Sequence, residues 1–146
     1  MTKIEVRNLL ASCLQLEPSP FECPTEEDWR ELEVRMRTSF APEFRFFIDL
    51  LSEFAFPGDV YNVASGRTNG NDSVVAVYDS EVRFGGWPQE LIPFYGIGNG
   101  DYFALSSLEG PGSRVYYYSH ADRAAVPHSA SFSAWLQALP DFLRGH

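Results

Sequence analysis

Apolar positions recur with helical spacing through the first third of the chain. Val6, Leu9, Leu10, Cys13 and Leu14 fall at i, i+3, i+4, i+7 and i+8, which puts them on one face and predicts a helix over about 3–15. Thr2 and Glu5 stand as T-x-x-E before it, the spacing of a capping box, and Pro18 and Pro20 end it. A second start follows at Thr25, an N-cap residue trailed by Glu26, Glu27 and Asp28, acids that suit the positive end of a helix. Trp29, Leu32 and Met36 give that helix its buried stripe to about residue 38. Pro42 suits the first position of a third helix, with Phe44, Phe47, Ile48, Leu51 and Phe54 as its core face before Pro57-Gly58 closes it.

From residue 59 the pattern shifts to short apolar runs between turn residues. Runs at 60–64, 74–78, 91–95, 102–105 and 115–118 read as strands. The connections Gly66 to Asp72, Gly98-Asn99-Gly100 and Glu109-Gly110-Pro111-Gly112 read as reversals, since Asn-Gly pairs supply the positive φ that a tight turn needs. Links this short cannot make parallel crossovers, so the expectation is a mainly antiparallel or mixed sheet of about five to six strands spanning residues 59–118. Pro93 belongs at an edge or a bulge, because proline cannot donate to a ladder. The tail returns to helix: Ser131 caps a segment with Phe132, Trp135, Leu136 and Leu139 at helical spacing, stopped by Pro140. Helices, then strands, then a helix make an α+β fold, within the length of one domain over residues 1–146.

Composition narrows the function. Eleven basic against twenty acidic residues give a net charge of -9. The charge is spread through both halves, with six basic and eleven acidic residues in 1–58 and five and nine in 59–146. Such a surface repels phosphate backbones, which argues against direct nucleic-acid binding and for a basic partner; the plainer reading of the same charge is solubility. The longest apolar run, at 74–78, is far too short to span a membrane, and no export signal stands at the N-terminus, so a cytoplasmic protein is expected. Cys13 and Cys23 lack the spacing of a zinc or redox pair and read as reduced thiols, Cys13 on a buried helix face.

Catalytic signatures are missing: there is no nucleophile elbow, HExxH, Walker loop or CxxC. The stretch Gly96-Ile97-Gly98-Asn99-Gly100-Asp101 is glycine-rich, but strand-like residues follow it where a phosphate site needs a helix, so it reads as a hairpin. His120 with Asp122, and Asp79 with Glu81 on one strand face, are the two arrangements that invite acid–base chemistry. Their plain readings are a surface or capping role and a solvated strand end. Neither a metal nor a cofactor is expected. The dense acids Glu22, Glu26, Glu27, Asp28, Glu31 and Glu33 are explained by capping and a solvated helix face.

The order of motifs resembles the SUKH superfamily, which includes a yeast cell-wall synthesis regulator and many bacterial immunity proteins. The residues carrying this are Trp29 with Glu33, then Phe40-Ala41-Pro42-Glu43-Phe44, Trp87, and Leu91-Ile92-Pro93-Phe94. Gly98-Asn99-Gly100-Asp101-Tyr102, Val115-Tyr116-Tyr117, His120 and Ser131-Phe132-Ser133-Ala134-Trp135-Leu136 complete the series, over roughly 25–140. The chain departs from the family where an Asn-Gly-Gly type turn often stands, reading Ser52-Glu53-Phe54-Ala55-Phe56-Pro57-Gly58 instead. The resemblance implies a sheet flanked by helices and a binding protein without catalysis, often an immunity protein that blocks a toxin encoded beside it.

The expected function is therefore non-catalytic binding of a basic toxin domain, for example a nuclease. An adaptor or regulator on the same fold, or a small enzyme using His120 with Asp79 or Glu81, are the rivals. Asp79, Glu81, Asp101 and Glu109 are the candidate partner-binding residues, because strand ends and turns project side chains from a rigid scaffold. On that placement, Asp101→Lys or Glu109→Lys should weaken binding and leave the melting temperature nearly unchanged.

Overall fold

A computed structural model describes residues 1–19, 21–64 and 73–144. The turn expected at 66–72 and the break at Pro20 lie outside them. Three helices lead: α1 (Lys3–Cys13), α2 (Glu26–Met36) and α3 (Pro42–Asp49). Both predicted caps form as capping boxes, Thr2 with Glu5 and Thr25 with Asp28. The third helix ends at Asp49, earlier than its apolar spacing suggests, yet Leu51 and Phe54 remain buried in the turns that follow.

The strands β1 (Asp59–Val60), β2 (Leu91–Gly96), β3 (Tyr102–Ser106), β4 (Val115–Ser119) and β5 (Ala124–Ser129) form one sheet in chain order, every ladder antiparallel. Three sequence expectations need correction. Residues 74–78 are not a strand but the start of α4 (Val74–Phe84): Ser73 caps it by accepting from the Ala76 amide, and Val74 and Val77 bury one turn apart. The valine-rich run mimics a strand, and the cap outweighs that local preference. β1 is shorter than 60–64. Its continuation is a single parallel bridge from Asn62 to Ser73, so this stretch ends as an anchor for α4. β5 lies beyond the expected limit of the sheet, hidden in the sequence by its alanines and Pro127.

The tail helix α5 (Phe132–Arg144) starts at Ser131, whose hydroxyl accepts from the Ala134 amide, and runs through Pro140 where a stop was expected. Packing of its buried face, Phe132, Trp135, Leu136 and Leu139, offsets the local cost of proline.

Pro93 marks a bulge. It pairs with Ala104, Tyr95 pairs with Phe103, and Phe94 is left over between them. An extra residue resets the alternation of a strand, and here both Phe94 and Tyr95 enter the main core, each against Trp135 with ring centroids 5.0 and 6.2 Å apart. Phe44 and Phe47 of α3 meet Phe94 and Phe132 edge-to-face. The opposite face of the sheet carries Tyr102, Ala104 and Tyr118 around Trp87, whose indole donates to the Leu91 carbonyl at 3.0 Å.

Candidate functional site

At the β1 edge the bulge has a second effect. Gly96, opposite Tyr102 in the ladder, turns its missing side chain toward Tyr61. A methyl group there would collide with the Tyr61 hydroxyl, so glycine at this position makes room for the tyrosine. Both residues line a cleft of about 320 Å³ whose walls also include Asp59, Glu81, Asp101 and Tyr102. Glycines at 98 and 100, with φ of 95° and 91°, turn the hairpin at its rim, as the sequence implied for this stretch.

Of the four acids expected to reach outward, all are held by partners within the chain. Asp79 and Glu81 lie on α4, two residues apart, so they point to different sides of a helix instead of sharing a strand face. Asp79 pairs with Arg35 of α2. Glu81 faces the cleft and accepts from the Tyr102 hydroxyl at 2.8 Å. Burial, together with that carboxylate, pushes the Tyr102 phenol far up, so it remains a donor.

Asp101 is the largest correction, since its residue is buried at 8% exposure. Its carboxylate accepts from the Tyr117 hydroxyl at 2.6 Å, the His120 amide at 2.9 Å and His120 Nδ1 at 2.6 Å. Burial alone would raise its pKa, but those three donors outweigh it and hold the group below the usual carboxylate range. His120 therefore pairs with Asp101 and not with Asp122, whose amide instead donates to Ser119 Oγ. Gly100 makes the approach feasible, because a Cβ there would lie 3.2 Å from the imidazole Cγ. Glu109 accepts from Arg114 Nε at 3.1 Å and from the Tyr116 hydroxyl. The Arg114 bonds lead in lowering its pKa; the tyrosine adds to them against a smaller opposing effect of burial, leaving it at about 2.

The placement of the four acids thus differs from expectation. Glu81 and Asp101 share one cleft, whereas Asp79 and Glu109 are tied up elsewhere. Sequence reasoning missed Asp59 and Tyr61. The only local sign was Gly58 before Asp59, a turn residue with φ of 77° packed against the Gly96 carbonyl. Among the described residues no group of His, Cys, Asp and Glu is arranged to hold a metal ion. Cys13 is half-buried, with its thiol pushed up by burial, and Cys23 is exposed.

The SUKH_5 family model, described as SMI1-KNR4 cell-wall, matches residues 6–140. The chain belongs to this family. The match runs from within α1 into α5 and includes every residue lining the cleft. Among solved structures, a protein from Pseudomonas syringae pv. tomato is 23% identical, with 92% of this chain and 95% of that chain covered at a TM-score of 0.64. That likeness shows a shared fold. A search of curated proteins finds no match. Among the described residues no helix is long and apolar enough to cross a membrane.

Proposed function

We propose that this SUKH-family chain is a non-catalytic binding protein that neutralises a co-encoded toxin by docking on a basic face of it. The observation that carries this reading is the cleft: it is lined by Asp59, Glu81 and Asp101, and by no Lys, Arg or His among the described residues. Carboxylates fixed beforehand by tyrosine hydroxyls lose little freedom when a cation arrives, which lowers the cost of association. A net charge of -9 adds a field that speeds encounter with a basic partner. A nuclease domain, which must itself attract phosphate, is a fitting class of partner. Cytoplasmic residence accompanies this reading, because immunity is needed where the toxin is made.

The test is to express the toxic domain of any large secreted protein encoded next to this chain, with and without the chain. Protection together with a purified one-to-one complex supports the immunity reading. No toxin gene and no protection would replace it with an adaptor or regulatory role on the same fold, the reading that the cell-wall description of the family favours.

A further inference from the structure

The cleft under Glu81 shares its Asp59 wall with a neighbour. Asp59 also lines a second depression of about 350 Å³, whose walls include Phe21, Leu51, Phe54 and Phe56 with Glu17. β1 is the outer strand of the sheet here, only Asp59–Val60 long, and Asp59 is exposed on it. The two depressions differ in chemistry. One presents carboxylates and the Tyr61 and Tyr102 rings, 6.3 Å apart; the other adds an apolar wall of Phe21, Leu51, Phe54, Ala55, Phe56 and Val60 beside Glu17 and Ser19. Neither has a basic lining residue among those described.

We propose that the two depressions form a single docking groove astride Asp59, and that it takes an extended segment of a basic protein partner. An arginine or lysine side chain enters the tyrosine cleft and an apolar side chain enters the phenylalanine one. This deepens the partner-binding reading above and rests on it. Charge selects the occupant. Tyr102 satisfies one lone pair of Glu81, leaving acceptor capacity that a guanidinium or ammonium can use. Asp59 makes no ion pair with a described residue and offers a second carboxylate to the same cation. The Tyr102 ring, only partly buried in the cleft wall, adds an aromatic surface for cation–π contact. A purely apolar segment would desolvate the Glu81 carboxylate with only the Tyr102 hydroxyl to satisfy it, and an anionic one would meet like charge.

The experiment is an NMR titration of the isotope-labelled full chain with a short arginine–leucine peptide, using a glutamate–leucine peptide as control. The expected result is saturable shifts of the Asp59, Tyr61, Gly96 and Tyr102 amides with the first peptide only. Combining Asp59→Asn with Glu81→Gln should weaken binding about tenfold, since two charge-assisted contacts are lost. The side-chain amide oxygen introduced by Glu81→Gln still accepts from Tyr102, so the fold is kept, and an unchanged spectrum elsewhere checks this. Glu27→Gln with Glu31→Gln on α2 should leave the affinity unaltered. Shifts centred on α2, equal loss with the α2 variant, or no saturable shift in the groove would each overturn the proposal. The two readings fail separately. A toxin domain bound and neutralised equally by the Asp59→Asn, Glu81→Gln variant sinks the groove and keeps immunity; peptide seated in the groove without any toxin or protection keeps the groove and sinks immunity.

Discussion

The two faces of the sheet use aromatic residues in opposite ways. On the helix-covered face, Phe44, Phe47, Phe94, Phe103, Phe132 and Trp135 are at most 3% exposed and meet largely edge-to-face. These rings have nothing to donate except the indole, and their contribution is burial and packing. On the other face and along the rim, beside the ring cluster of Trp87 and Tyr118, three tyrosine hydroxyls hold carboxylates: Tyr102 holds Glu81, Tyr116 holds Glu109, and Tyr117 reaches over the rim to Asp101. One face stabilises the molecule; the other fixes negative charge in defined places. An acid at a turn is thus not free to reach outward merely because the turn is on the surface.

Substitutions should separate the two faces by size of effect. The largest loss belongs to Trp135→Ala, about 3–5 kcal/mol by chemical denaturation, the range for deleting a buried large aromatic side chain; a loss below about 1 kcal/mol would break the contrast at its stronger end. Asp101→Ala comes next. It strands the Tyr117 hydroxyl and the His120 amide and should cost about 1–3 kcal/mol, with Asp101→Asn milder because an amide oxygen still accepts. Asp101→Lys therefore lowers the melting temperature, against the sequence-based expectation of no change, because the residue is buried and surrounded by donors it would oppose.

The next effect is pH-dependent and smaller. Glu109 has an ordinary value of 4.5 and sits at about 2 when folded. A carboxylate with a depressed folded pKa stabilises the fold above its unfolded value, and this contribution is lost as pH falls through the folded one. The melting temperature should thus decline between pH 4.5 and about 2, with Asp101 adding in the same acidic direction. Glu109→Gln should flatten part of that decline. A pH profile unchanged by the substitution would show that the Arg114 and Tyr116 contacts carry no weight in solution.

How much of this was readable in the sequence follows the same division. The helix-covered core was legible because its signals are local or periodic: capping boxes at Thr2 and Thr25, apolar stripes that carry Trp29 and Trp135, and a proline that predicts an edge or bulge at Pro93. The cleft was only half legible. Glu81 is expected at the end of a strand that is in fact the valine-rich helix α4, and Asp101 is expected to reach outward from its turn but is buried. Asp59 and Tyr61 were missed, because their meeting with Glu81 depends on Gly96 and on chain segments far apart in sequence. The Asp101–Tyr117–His120 network likewise joins a hairpin to the end of β4, and no spacing rule announces such a contact.

The central claim is that this cleft face recognises a basic protein by charge. Its most direct test is the association rate with a basic toxic domain, should one be encoded beside the chain, measured from low salt to physiological ionic strength. The Debye length falls from about 30 Å at 0.01 M to about 8 Å at 0.15 M, so steered association should slow by about tenfold or more over that range. The Asp59→Asn, Glu81→Gln variant should start slower and depend less on salt. Association that is equally fast at both salt concentrations, and unaffected by the two substitutions, would contradict the account.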